Sequence, residues 1–284
     1  MRKLNPYNKG SFEFYKEVVD SKRNSAQDPD YKERLENHEE AVEGSFENYD
    51  EGFANDDLIS LVNHGFANGD KDDLLRLYSY KNKKIQELKI AVTTTERNRL
   101  LNTCQNCTIG EVNSFDHFVS KDEFPEFAVQ PKNLFPSCSK CNSYKGQEWR
   151  EHGQITYLNL YLDDLPEEQY LFVNIEVIDN DVVTTEFYLD NPNGIDPVLY
   201  ERIQNHYRNL HLCHRFKENA DSVITELENV IRSSIGNLPL DEIVDLVIEG
   251  CRTNKEYFGY NYWKIILETT LVTNDDFIEM IVND

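Results

Sequence analysis

Four cysteines in this 284-residue chain fall into two closely spaced pairs, Cys104-Gln-Asn-Cys107 and Cys138-Ser-Lys-Cys141, with 30 residues between the pairs. Two knuckles of that spacing place four thiolates tetrahedrally around Zn(II), at about 2.3 Å each. The surroundings support ligation over burial of unrelated thiols, since Gln105, Asn106, Ser139 and Lys140 are polar and turn-like. Zinc ligation is also folding energy, on the order of 10 kcal/mol in small finger peptides. With all four positions taken by sulfur no site stays open for water, so this ion is expected to be structural.

Chemistry therefore needs a second set of groups, and the knuckles enclose one: Asp116-His117-Phe118, Asn133-Leu134, and Asn142-Ser-Tyr-Lys145-Gly146. Metal-assisted hydrolysis requires a base to activate water near neutral pH and a cation to take up developing negative charge. His117, with an ordinary pKa near 6.5, suits the base. Asp116 offers a hard anionic oxygen and Asn142 a neutral amide oxygen to Mg(II) or a similar divalent ion, leaving room for waters and substrate. Lys121 and Lys145 are candidates for phosphate contact, with ordinary solvation an almost equal alternative for each.

The stretch from 104 to 146 resembles the HNH nucleases, whose ββα-metal finger carries a His near the end of its first strand, a loop Asn, and a His or Asn on the following helix. The order Asp116-His117, Asn133, Asn142 is similar to the His-Asn-Asn subtype. The resemblance implies that Asn133 orients His117 through backbone hydrogen bonds, and that zinc serves as scaffold. Many relatives carry Pro where Ser120 stands, a departure that removes no catalytic group. Phe124-Pro-Glu-Phe127, Ile203-Gln-Asn-His206-Tyr207 and Asn261-Tyr-Trp263 look like a bacterial branch of standalone HNH proteins. Such proteins resemble effector subunits of anti-phage systems, some paired with an ATPase.

Positioning these groups falls to an expected α+β, predominantly helical chain. Residues 1–96 read as an acidic helical region, with Phe12, Tyr15, Val18 and Val19, and later Leu74, Leu77, Ile85 and Leu88, at helical spacing. Glu36, Glu39, Glu40, Glu43 and Glu47 are expected on one helix face, either solvated or docking a basic partner. Asn68-Gly-Asp70 reads as a turn. Residues 97–150 form the finger. Because successive strand side chains point to opposite faces, the adjacency of Asp116 and His117 predicts a bulge or turn between Asp116 and Phe118. Asn142 directly after Cys141 puts a zinc ligand and a catalytic-metal ligand in one helical turn.

Residues 151–195 are expected to be an acidic linker and a hairpin, Tyr170 to Ile178 and Val182 to Leu189 around Asp179-Asn180-Asp181. Residues 196–284 read as helices: about Leu199 to Leu210, Phe216 to Ile235 with Val223, Leu227, Val230 and Ile231 on one stripe, Leu240 to Cys251, and Tyr260 to Leu271. His206, His211 and His214 lack a matching ligand motif. Cys213 and Cys251 read as small buried hydrophobes, and Trp149 and Trp263 as packing residues.

Charge bounds the partners. Lys and Arg number 29 against 52 Asp and Glu, a formal charge of −23. Such a field excludes polyanion binding by the surface as a whole. Residues 97–150 carry 7 basic and 6 acidic side chains, so phosphate is tolerated there. No run approaches the roughly 18 apolar residues of a membrane span, and no apolar leader follows Met1, so a cytoplasmic protein with no membrane partner is expected. The leading expectation is a metal-dependent endonuclease acting on DNA, with a protein partner, such as an ATPase, supplying DNA-binding surface or activation. The alternative is an inactive zinc-stapled scaffold recruiting a basic partner.

Overall fold

The computed structural model describes residues 1–179 and 181–283, which form two compact units, Lys3–Asp164 and a second made of Met1–Arg2 with Leu165–Asp284. Helices and small two-stranded sheets make up both. No helix among the described residues is long and apolar enough to cross a membrane.

In the first unit, helices α1 (Ser11–Asp20), α2 (Tyr31–Glu36), α3 (Glu39–Ala54), α4 (Asn68–Leu75) and α5 (Lys83–Thr93) precede the cysteine segment. Their apolar stripes build its core: Phe14, Tyr15 and Val18 from α1, Val42, Phe46, Tyr49 and Phe53 from α3, and Ile85, Leu88 and Val92 from α5 are all buried. The acidic face is shorter than expected. Glu36 ends α2, and the chain breaks at Asn37 and His38 before Glu39, Glu40, Glu43 and Glu47 follow on α3. Asn68-Gly-Asp70 opens α4 instead of making a free-standing turn, and Asn68 takes a left-handed φ of 51° that starts the helix.

Strands β1 (Ser114–His117) and β2 (Leu134–Ser137) then pair antiparallel, followed by α6 (Ser139–Lys145) and a small ribbon of β3 (Arg150–Glu151) and β4 (Gln154–Ile155). The β1–β2 register is unbroken: Asp116 faces Phe135 and His117 faces Leu134. The bulge expected at Asp116 to Phe118 is absent from this pairing. The chain does bend just past the strand, at Phe118 and Val119, where the Phe118 N–H donates to Asn133 O at 2.9 Å.

The expected boundaries at 96/97 and 150/151 do not separate compact units. The first part of the expected acidic linker is core. Tyr157, Leu158, Leu160 and Tyr161 are buried, and the Tyr161 hydroxyl donates to Leu134 O at 2.9 Å while its ring meets Phe135 edge-on. Apolar residues decide this over the flanking acids.

The second unit begins with a hairpin, β5 (Leu171–Ile178) against β6 (Val182–Leu189), as the alternating runs predict; Asn180 of the expected turn lies outside the described residues. Six helices follow: α7 (Pro197–Asn209), α8 (Leu212–Glu218), α9 (Ala220–Ile235), α10 (Leu240–Phe258), α11 (Trp263–Val272) and α12 (Asp275–Asn283). Asp196 caps α7 by accepting from Val198 and Leu199 N–H groups, and Pro197 sits where a missing N–H costs nothing. The expected single helix from Phe216 to Ile235 is two, broken at Asn219. On α9, Val223, Leu227 and Ile231 are buried but Val230 is 52% exposed, since it falls off the inward arc. Trp263 packs as expected, stacked on Phe216 with ring centroids 5.4 Å apart.

Candidate active site and metal centre

The four expected thiols converge. The sulfurs of Cys104, Cys107, Cys138 and Cys141 all lie within 4.8 Å of one another, and all four residues are buried. Local backbone geometry shapes each pair. The Cys104 N–H donates to Gly110 O at 2.8 Å and Thr108 N–H to Cys104 O at 2.7 Å, with Thr108 in the left-handed region. This folds the first pair into a tight knuckle. In the second pair Cys138 caps α6, its sulfur accepting from the Cys141 N–H at 3.4 Å. Hydrogen bonding among the sulfurs pulls the Cys107 thiol down to about 6 and pushes Cys104 well above its ordinary value. A buried, all-sulfur tetrad fits a soft-tolerant divalent ion such as Zn(II).

Gly110, which sequence reasoning passed over, closes the cluster. A Cβ there would come within 3.0 Å of Cys138 Cβ and 3.1 Å of its sulfur. A methyl group here would need Cys138 to give way by a few tenths of an ångström.

His117 stands at the end of β1, 8% exposed. Its Nε2 lies 2.9 Å from Ala128 O. A carbonyl can only accept, so this contact places the proton on Nε2 and leaves the Nδ1 lone pair as the basic site of the neutral ring. Burial pushes the imidazole down to about 3, with the Lys121 and Lys145 charges adding and the Ala128 bond opposing. The ring is therefore neutral at physiological pH. Tyr78 meets it edge-on with centroids 4.7 Å apart, and the Tyr78 hydroxyl both accepts from Phe115 N and donates to Phe115 O.

Asn133 is fully buried, and every hydrogen-bonding position of its amide is used. Oδ1 accepts from Val119 N at 2.7 Å and from the Tyr49 hydroxyl at 3.2 Å; Nδ2 donates to Val119 O at 3.0 Å and to Phe127 O at 3.3 Å. The side chain thus pins both peptide groups of Val119, two residues beyond His117. It also holds the 3₁₀ turn Pro125–Val129 that carries Ala128.

Asp116 and Lys145 form an ion pair 3.1 Å apart with both side chains buried, and Lys145 Nζ also donates to His117 O at 2.8 Å. Lys145, expected to meet phosphate, spends its ammonium on these two neighbours. Burial raises the Asp116 carboxyl above its ordinary value despite that ammonium. Asn142, three residues earlier on α6 and half-buried, donates Nδ2 to Phe115 O at 3.3 Å, leaving Oδ1 as its ligand-capable atom. Lys121 sits with Nζ 5.0 Å from the Tyr78 ring centroid, on the His117 side of the strand.

Asp116 and His117, as neighbours on a regular strand, leave opposite faces of the ribbon, and Lys145 is the residue that touches both. Tyr49 and Tyr78 went unseen in the sequence because nothing in a helix pattern distinguishes a tyrosine that packs from one that also reaches a distant amide.

No family model matches the chain, and no solved structure matches it. It is similar to protein ea31 of Escherichia phage lambda, with 27% identity over 189 residues. That alignment covers 61% of this chain and 62% of the phage protein, so the chain spans less than two thirds of that relative.

Proposed function

We propose that the chain is a metal-dependent HNH endonuclease that hydrolyses DNA phosphodiester bonds, with zinc as scaffold and His117 as general base. The observation that carries the reading is the setting of His117: an imidazole whose Nε2–H donates to Ala128 O, which makes Nδ1 the accepting nitrogen, on a backbone braced by Asn133. A general base needs that combination of free lone pair and fixed ring.

Asp116 and the Asn142 Oδ1 are the donors for a hard divalent ion such as Mg(II), and a cation, the Lys145 ammonium, already sits on Asp116. When bound, that ion supplies positive charge to the scissile phosphate and the departing oxygen. Lys121 is the residue placed to meet phosphate beside His117. Cys141 and Asn142 share the first turns of α6, so zinc loss displaces the oxygen donor with the sulfur.

At a net charge of −23 the chain should meet DNA slowly on its own. The reading therefore includes a protein partner, such as an ATPase, that supplies basic surface or releases activity, as in an effector subunit of an anti-phage system. Nicking of supercoiled plasmid by the purified chain, with and without the product of its neighbouring gene, in Mg(II), Mn(II) or Ni(II), tests this. His117→Ala should abolish nicking; unchanged cleavage by that variant would overturn the assignment.

One observation favours a second reading. The Asp116 carboxylate is already neutralised by Lys145, as in a purely structural ion pair, which suits a zinc-stapled scaffold with no catalysis. That reading predicts full zinc content, no cleavage with any divalent ion, and partner binding insensitive to Asp116→Ala.

A further inference from the structure

The acidity of this chain has one interruption beside the site. Residues 79–103 hold six basic side chains, Lys81, Lys83, Lys84, Lys89, Arg97 and Arg99, against two acids, Glu87 and Glu96, a local balance of +4 in a chain at −23. Lys81, Lys83, Arg97 and Arg99 are exposed.

The segment is fixed against the strand that carries Asp116 and His117. Tyr78 bonds both backbone groups of Phe115, the Tyr80 hydroxyl donates to Val112 O at 3.2 Å, and Lys89 Nζ donates to the same carbonyl at 2.9 Å. Beyond α5 the chain makes a tight hairpin. Thr95 N donates to Arg99 O and Asn98 N to Thr95 O, both at 2.9 Å, with Asn98 left-handed, so Arg97 sits at the tip. Glu17 and Glu87 pair with Lys84, and Glu87 reaches toward Lys83 at 3.8 Å. Lys81 lies before α5 and Arg97 and Arg99 after it, all three exposed.

We infer that this segment is the surface along which a DNA duplex backbone lies, leading to Lys121 and His117. The inference rests on the phosphodiester reading above and names the residues through which an acidic chain engages its substrate. Eleven residues of helix span about 16 Å, or roughly five base pairs at 3.4 Å each. Separated lysine and arginine groups with no base-reading motif among them contact phosphates without reading sequence. An acidic protein is the competing occupant, and the experiment separates the two.

The full-length His117→Ala chain, which retains the surface but lacks the base, is titrated with a fluorescent duplex from about 50 to about 200 mM salt. Replacing Lys81, Arg97 and Arg99 together by Gln should weaken binding and lower the slope of log K against log salt by about 2 to 3, near 0.9 per lost phosphate contact. Unchanged zinc content and circular dichroism confirm the fold. Lys255→Gln with Lys264→Gln, in the second unit, should leave the slope unaltered. An unchanged slope in the triple variant, no duplex binding by the parent chain, or polyglutamate binding as tight as duplex binding would each overturn the inference. A chain that binds through these residues but cuts under no condition sinks the nuclease reading and leaves this one standing; a chain that cuts yet ignores the triple substitution does the reverse.

Discussion

The ammonium of Lys145 rests 3.1 Å from Oδ1 of Asp116, with 4% and 6% of the two side chains exposed. This buried carboxylate is held by a single lysine that also grips the His117 carbonyl. The pair fastens α6 to β1, and so fastens the helix that carries Cys141 and is capped by Cys138 to the strand that carries His117.

Removing one partner of such a pair leaves the other charge buried without compensation. Lys145→Met should cost about 3–5 kcal/mol in urea denaturation, and Asp116→Asn combined with Lys145→Met should recover much of that loss. A single variant within about 1 kcal/mol of the parent would show that the pair does not hold the helix to the strand.

Asn133 offers a sharper case, because four partners depend on it. Asn133→Ala strands Val119 N and Val119 O and takes one bond each from Phe127 O, which keeps the Gln130 N–H, and from the Tyr49 hydroxyl, which keeps Lys132 O, so a loss of about 2–3 kcal/mol is expected. Tyr49→Phe removes one of the four bonds and should cost about 1 kcal/mol. Thermal melts of the two variants, compared with Asn133→Asp, which can accept but no longer donate, resolve the contributions.

Gly110→Ala drives a methyl group into Cys138. Zinc should still bind, but a colorimetric chelator should strip it faster and at lower concentration than from the parent chain. Equal chelator resistance would mean that the knuckles can separate without loss of ligation. Complete zinc removal should melt the segment around the cluster, since zinc contributes folding energy on the order of 10 kcal/mol in finger peptides against a total of about 5–15 kcal/mol in ordinary domains.

Asp28 lies away from the site and reports on the helical part of the first unit. Hydrogen bonds from Arg34 and then Arg76 hold its carboxyl down at about 2. In the unfolded chain the value is about 3.9, so the folded state binds fewer protons below roughly pH 5. The stabilisation is therefore present at neutral pH and disappears as pH falls toward 2. Melting temperatures of the parent and Asp28→Asn should differ at pH 7 and converge in acid; a gap that persists at the lowest pH would assign the effect to something other than charge.

The cysteine cluster was legible from spacing alone, because ligand geometry admits few arrangements of two closely spaced pairs. The hairpin of β5 and β6 was legible from alternation. What escaped were relationships between distant segments. Asp116 and His117 seemed to demand a bulge, yet β1 pairs regularly, because the chain satisfies their opposed directions from outside, with Lys145 on one and Ala128 on the other. Lys145 read as a phosphate contact or a solvated lysine, since no local pattern marks a cation that will be buried. Ahead of the hairpin in residues 151–195, acidic neighbours masked Tyr157 and Tyr161, which enter the core where a linker was expected. The two lines between which composition changes most abruptly, near 96 and 150, do not bound separately packed pieces.

Helix α3 reaches Asn133 through Tyr49, while Asp50, one residue on, accepts from Gln130 and pairs with Lys132 in the same loop. Helix α3 is therefore a wall of the cysteine-bearing segment and not a tether for it. A fragment cut at residue 97 would carry all four cysteines and His117, but open the back of the loop to water. Excision and grafting onto another protein, the usual route for small metal fingers, would have to begin upstream of α3.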